Sequence, residues 1–392
     1  MILPPDAPAA SGQSEAAGAA LLGTTAKSSD RLAESPVPRA VKAHRALRYQ
    51  AHSQARQWLV AQAKAERPEK YPGDVFRTAD CRYVNHGDVG VNYSAQHQAA
   101  HYAGLVTCGS VWACPVCASR IQQRRRGEIQ QAIDWAKAQG YTCALVTFTF
   151  PHQAWQRLQD LLDRQAEAFR RLRYSKGYRK LKPMGLIRSL EVTHGENGWH
   201  PHTHELWIMD SHETRLQPDL SELWLAACRK AGLVDAPEGS HLWGAFMAHG
   251  VDVKYDMDAG DYLAKQDDSR SWGFADEVSK ATSKAGRAKG VHPHHFLVRK
   301  AQGDLERYIE YAKAMKGKRQ LFWTRGLKDK VGITDVTDEV LAQEDREAAD
   351  LLGRLSPDDW KMIRGNDARA ELLDCAESGG WPAVQALLSA LR

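Results

Sequence analysis

Trp199-His200-Pro201-His202-Thr203-His204-Glu205-Leu206-Trp207-Ile208-Met209 is the stretch whose reading decides the fold. Histidine recurs at every second position and the run ends in an apolar tail. That is the pattern of a β-strand, in which alternate side chains share a face. His200, His202 and His204 therefore point the same way. Upstream lies Leu186-Ile187-Arg188-Ser189-Leu190-Glu191-Val192-Thr193, joined through His194-Gly195-Glu196-Asn197-Gly198, a Gly/Asn turn of the hairpin kind. A turn centred on Glu196-Asn197 sets Glu191 opposite His202, and such cross-strand partners lie on one face with Cβ atoms about 5 Å apart. Two or three imidazoles and a carboxylate are thereby gathered on one side of a sheet, which is a candidate metal site. A lone histidine is more often a satisfied core or surface residue, but three in register opposite a glutamate point to ligation. Histidine and carboxylate ligands with open positions suit Mn²⁺ or another borderline divalent ion, with Mg²⁺ also accommodated, and do not suit closed structural zinc.

Working outward, the 392 residues exceed one typical domain. No apolar run approaches the roughly 18 residues that span a bilayer, and the N-terminus lacks a basic-then-apolar leader. The expectation is a soluble cytoplasmic protein with no membrane partner. The net charge of +5 hides an asymmetry: Ala118 to Leu190 holds fifteen Lys/Arg against five Asp/Glu, and Thr334 to Arg392 six against thirteen. A basic segment beside a metal site suggests a polyanionic substrate, since phosphate neutralisation supplies most non-specific affinity for nucleic acid. Any single basic cluster, such as Arg124-Arg125-Arg126, is equally compatible with a solvated helix face.

The seven cysteines do not form a disulfide framework. Cys108, Cys114 and Cys117 crowd together, which in a cytosolic chain favours metal. Cys114-Pro115-Val116-Cys117 makes a tight knuckle whose thiolates can bind one tetrahedral Zn²⁺. Cys108 is a third ligand and Cys81 the natural fourth, with His86 or His101 as alternatives; the role is structural.

The remaining patterning gives four segments. Residues 1–40, rich in Ala, Ser, Gly and Pro, read as a disordered arm. Residues 41–140 read as a helical and cysteine-rich zinc module, 141–333 as the domain that carries the histidine strand, which the resemblance given below makes the catalytic one, and 334–392 as an acidic helical appendage. Ala144–Phe150 is a strand rich in β-branched and aromatic residues, Gln153–Arg173 and Ser221–Ala231 are helical, and Val251–Tyr255 is a strand. Asp258-Ala259-Gly260-Asp261-Tyr262-Leu263-Ala264-Lys265, read as a helix, sets Asp258 and Tyr262 one turn apart on one face, with Lys265 three residues on. A tyrosine beside an ammonium group has the chemistry of a nucleophile at phosphorus; a packing role is as plausible from the pattern alone. Tyr308 and Tyr311 compete for that part, and Val291-His292-Pro293-His294-His295, which lacks a partner carboxylate, reads as structural.

The ordered set resembles the bacterial plasmid rolling-circle replication initiators, a branch of the HUH endonuclease superfamily. It comprises the Cys-Pro-x-Cys knuckle, Thr147-Phe148-Thr149-Phe150, His202-Thr203-His204, Asp261-Tyr262-Leu263-Ala264-Lys265 and Gly317–Leu327, and the resemblance runs from about Cys81 to Lys328. It implies an α/β architecture of the α+β kind, with a central antiparallel sheet flanked by helices. It implies that His202 and His204 bind the catalytic cation and that Tyr262 attacks the scissile phosphate. The products are a 5′-phosphotyrosyl end and a 3′-OH primer. Asp258, at the position from which single-tyrosine members activate terminating water, is Asp where the best-known members have Glu. The implied partners are plasmid origin DNA, single-stranded or as an extruded hairpin, and a host helicase with the replication machinery, since no Walker-type phosphate loop occurs. Two other readings stand beside it: a transposase or relaxase of the same superfamily, and a non-catalytic zinc-dependent DNA-binding regulator.

Overall fold

The computed structural model describes residues 39–181, 183–255, 290–343 and 349–392. Its principal elements, in chain order, are α1 (Arg39–Glu66), β1 (Asn85–Ser94), β2 (Ala99–Leu105), α2 (Pro115–Ala138), β3 (Thr142–Phe148), α3 (Leu158–Tyr174), β4 (Gly185–Gly195), β5 (Gly198–Met209), α4 (Leu216–Lys230), β6 (Val251–Tyr255), α5 (Asp304–Ala314), β7 (Leu321–Trp323), β8 (Asp350–Leu355), α6 (Pro357–Gly365) and α7 (Arg369–Leu391). The fold is α+β, built on antiparallel sheets.

The histidine strand β5 occupies the centre of a five-stranded sheet of order β6-β3-β5-β4-β7. Its hairpin with β4 is in the register set by the Glu196-Asn197 turn, with Glu191 opposite His202 and Gly195 opposite Gly198. Gly198 has φ of +81°, and a Cβ there would meet the Ala154 backbone at 2.8 Å, so the turn requires glycine on both counts.

Alternation along β5 divides the sheet into two faces. Leu206 and Ile208 share the face of His202 and His204, and they are covered by α2, whose Ile129, Ala132, Ile133 and Ala136 recur at helical spacing. Leu145 and Ile187 complete that core. On the opposite face Phe148 meets Phe169 of α3 and Trp224 of α4 edge-on, with ring centroids 5.3 Å apart in each pair. The sheet is therefore buried on both sides at one end, and the histidines stand beyond the end of the α2 cover.

A second sheet has order β2-β1-β8. Here the structure differs from the expected helical appendage: the segment after Thr334 carries β8, which pairs antiparallel with β1. The reason is physical, since a two-stranded ribbon is marginal alone and needs a third strand or a packing partner. Further contacts tie the same segment to the N-terminal helix. Arg45 of α1 bridges to Asp374 at 2.5 Å and also to Glu377 of α7. Arg369, 1% exposed, hydrogen-bonds His52 and the Arg82 carbonyl oxygen. Three acidic residues of this segment, Asp338, Asp374 and Glu377, are thus matched to basic residues of the cysteine-bearing region. Arg125, the middle residue of the basic run, pairs with Glu128 at 2.9 Å and with Asp338 at 2.8 Å.

Candidate metal centres

Glu191, His202 and His204 converge, with their donor atoms all within 4.8 Å of one another. One carboxylate oxygen, Glu191 Oε2, lies 3.0 Å from His202 Nε2 and 3.2 Å from His204 Nε2. The opposite nitrogen of each ring is already engaged. His202 Nδ1 lies 3.3 Å from the His200 carbonyl oxygen, which can only accept, so Nδ1 carries a proton and Nε2 faces inward. His204 Nδ1 lies 3.0 Å from Thr147 Oγ1, a residue directly opposite His204 across the β3–β5 pairing.

This arrangement sets up a charge problem. Burial works to raise the Glu191 pKa, but the charge and hydrogen bonds of His202 and His204 outweigh it and hold the carboxylate below its usual range. For His202, desolvation favours the neutral ring, yet the Glu191 charge wins and raises its pKa. Two Nε2 atoms aimed at one carboxylate oxygen form a donor arrangement that a bound cation would complete. Cis donors on an octahedral ion with bonds of about 2.1 Å are about 3.0 Å apart, close to the 3.0 and 3.2 Å between the carboxylate oxygen and the two imidazole nitrogens. The donor set of two imidazoles and one carboxylate fits a Mn²⁺- or Mg²⁺-type ion with positions left open.

His200, expected to join this group, is placed beside it. Its Nε2 lies 2.7 Å from Thr149 Oγ1, and its ring stacks on His152 with centroids 4.8 Å apart. Desolvation, aided by the neighbouring His202 and His152, pushes its pKa down to about 3. It is held as a neutral neighbour, with its ring centroid 4.9 Å from that of His202.

The sequence reading gave Thr147 no role of its own; its hydroxyl lies against His204 Nδ1 and fixes how the ring of that candidate ligand is turned. Thr147→Val, similar in shape but without the hydroxyl, is expected to weaken Mn²⁺ affinity by about 10- to 100-fold. Calorimetric Mn²⁺ titration of wild type and variant measures this, and equal affinities would remove Thr147 from the site.

Cys81, Cys108, Cys114 and Cys117 form the second group, all buried and all free thiols. Their sulfurs approach to 3.4 Å for Cys81–Cys117 and 3.6 Å for both Cys108–Cys117 and Cys114–Cys81. These separations are far beyond an S–S bond of about 2.05 Å and near the edge of about 3.8 Å that a ZnS₄ tetrahedron with 2.3 Å bonds would have. Backbone amides of Cys108, Ser110 and Cys117 donate to the sulfurs of Cys81, Cys108 and Cys114, each at 3.4 Å. Cys114 also caps α2, where the helix dipole favours thiolate. The shared hydrogen bonds pull the Cys117 pKa well below that of a free thiol, while burial and the same hydrogen bonds push Cys81 and Cys114 well above it. Four buried donors of this kind fit a tetrahedral zinc ion. Cys81 takes the fourth position, and neither His86 nor His101 belongs to the group.

The knuckle is docked onto the edge of the histidine sheet. His294 Nε2 lies 2.5 Å from the Trp112 carbonyl oxygen, and the Tyr308 hydroxyl donates to the Ala113 carbonyl at 2.5 Å. The Val291–His295 segment is accordingly structural: Val291 bridges to His194 of β4, and His294 is 1% exposed. Tyr308 and Tyr311 are both 0% exposed, and burial raises the pKa of each. Neither offers an accessible phenolate. Asp258, Tyr262 and Lys265 lie outside the described residues.

The fold and site define an α+β protein with a two-histidine, one-carboxylate cluster on its central antiparallel strand and a four-cysteine knuckle at the sheet edge. Residues 103–215 match the model of a family described as replication protein, a span holding Cys108, Cys114, Cys117, Glu191, His202 and His204. "Protein rep" of Streptomyces lividans is 28% identical to this chain, covering 70% of it and 76% of the relative. A protein of Streptomyces cyanogenus named "neomycin resistance protein" is 35% identical over 31% of this chain and 35% of its own length. No solved structure matches. The family match and the Streptomyces lividans relative support a plasmid replication protein of the Rep type. Among the described residues no helix is long and apolar enough to cross a membrane.

Proposed function

We propose that the protein is a rolling-circle replication initiator of the HUH endonuclease kind, nicking one strand of its plasmid origin through Tyr262. The observation that carries this reading is the convergence of Glu191, His202 and His204 on the central strand. The replication-protein match over the same residues supports it. On this reading residues 141–333 are the endonuclease domain and 41–140 a zinc-stabilised module.

Glu191, His202 and His204 hold the divalent cation, which when bound supplies Lewis acidity and a template for the scissile phosphate. The His200 carbonyl and Thr147 keep the two Nε2 atoms facing inward. The Tyr262 oxygen forms a bond to phosphorus as the bond to the 3′ oxygen breaks. The tyrosine proton leaves to solvent and the departing oxygen gains one, giving a 5′-phosphotyrosyl end and a free 3′-OH primer. Lys265 favours the phenolate. Because the phosphotyrosyl bond conserves the phosphodiester energy, attack by a 3′-OH reverses the step and rejoins the strand. Asp258 activates water where release occurs by hydrolysis. Unwinding falls to a host helicase.

The test is cleavage of single-stranded origin DNA in Mn²⁺ or Mg²⁺. His202→Ala with His204→Ala is expected to slow nicking by about 10³-fold or more, the scale of losing metal-centred charge stabilisation, with DNA binding largely kept. Nicking by the double variant at the wild-type rate would contradict the reading. Tight origin binding by wild-type protein without any nick would favour a regulator.

A further inference from the structure

Trp155 is 80% exposed, the most exposed large hydrophobic residue among those described. A tryptophan turned out to water forgoes a burial worth about 2–3 kcal/mol or more, so its position calls for a partner. The backbone that carries it is held in several ways. Gln156 N donates to the Gln153 carbonyl at 3.1 Å, and Gln153 N donates to Gln156 Oε1 at 2.7 Å, closing a turn with Trp155 near its tip. Ala154 sits against Gly198 so closely that a Cβ on that glycine would meet its Cα at 2.8 Å. His152 Nδ1 lies 2.8 Å from the Asn197 carbonyl oxygen. The turn is therefore clamped to the tip of the β4–β5 hairpin.

It is also joined to the metal site. His152 stacks on His200 at 4.8 Å and 24°, and the His200 ring is 4.9 Å from that of His202, a ligand of the proposed cation. Trp155 follows His152, the outer member of this row of rings, by three residues in the chain. A solvent-facing indole on a pinned turn matches what binds unpaired nucleotides, since every base has a π-face and stacking on aromatic side chains is sequence-tolerant. A buried protein interface would ask for a wider apolar patch; the neighbours Gln153, Ala154 and Arg157 are exposed, and only Ala154 of these is apolar.

We infer that Trp155 is a stacking platform for an unpaired base of single-stranded DNA flanking the scissile phosphate. It positions the strand over the metal site and takes no part in the chemistry. The inference rests on the nuclease reading above.

The experiment compares wild type, Trp155→Ala and Trp155→Tyr on two probes. One is fluorescein-labelled oligothymidylate of about twenty nucleotides; the other is an abasic strand with the same phosphate backbone. Trp155→Ala is expected to bind oligothymidylate about 5- to 150-fold more weakly, the range for one lost base–aromatic stack. It should bind the abasic strand as wild type does, and Trp155→Tyr should keep most of the affinity. Equal binding of oligothymidylate by wild type and Trp155→Ala would overturn the platform while leaving the nuclease reading intact. Equal losses on both probes would show that the residue supports the loop and does not stack. If wild type binds neither probe, the platform is overturned, and origin cleavage by the same preparation decides the nuclease reading separately.

Discussion

Tyr262→Phe is expected to abolish the covalent protein–DNA adduct while leaving DNA affinity close to that of wild type. The substitution removes one oxygen, the atom proposed to bond phosphorus, and the two tyrosines that compete for the role are inaccessible. Tyr308 and Tyr311 are fully buried, and the Tyr308 hydroxyl is committed to the Ala113 carbonyl. The variant should lose at least several orders of magnitude in adduct yield, since nucleophilic catalysis is lost altogether. Denaturing electrophoresis of protein incubated with labelled single-stranded origin DNA and Mn²⁺ measures it. Asp258→Ala separates the second half of the cycle, because its first nick should survive and hydrolytic release should fail. An undiminished adduct in Tyr262→Phe would mean that another nucleophile acts.

The second large effect is on the cysteine centre. Structural zinc contributes on the order of 10 kcal/mol or more of apparent binding free energy to domains that need it. Four buried thiols without a cation have no comparable compensation. Cys114→Ser with Cys117→Ser is expected to eliminate tightly held zinc and to unfold the region around β1, β2 and the start of α2. The damage should spread, because the knuckle carbonyls of Trp112 and Ala113 are anchored by His294 and Tyr308 and β8 joins the same module through β1. Elemental analysis after dialysis should find one zinc per wild-type chain and none in the variant, with a large fall in thermal stability. A disulfide between Cys114 and Cys117, with no zinc, would end this account of the knuckle.

These two centres were legible in the sequence to different depths. The hairpin register followed from local chemistry: a two-residue turn between alternating strands leaves one alignment that puts Glu191 opposite His202, and the strands pair that way. The cysteine quartet was legible by residue type and spacing. What stayed hidden depends on contacts between segments far apart in the chain. Thr147 was visible as part of a strand and of the Thr-Phe-Thr-Phe motif but with no role attached, since the β3–β5 pairing that brings it against His204 is set by packing and not by a turn. His200 shares the face of its two neighbours as period-2 spacing requires, yet Thr149 and His152 draw its ring away from the cation group. β8 was hidden inside a segment whose acidic, helix-rich composition dominates, and its strand form is imposed by pairing with β1. Trp155 carried no signal beyond its residue type, because the clamp that fixes it comes from Asn197 and Gly198 on another element.

The most direct measurement of the central claim is to map the modified residue. Wild-type protein incubated with Mn²⁺ and single-stranded origin DNA, digested with nuclease and protease and read by mass spectrometry, should yield one tyrosine peptide carrying a 5′-linked nucleotide. That tyrosine should be Tyr262, and the modification should disappear when His202 and His204 are both alanine. A nucleotide on any other residue, or cleaved DNA with no modified peptide, would contradict the account.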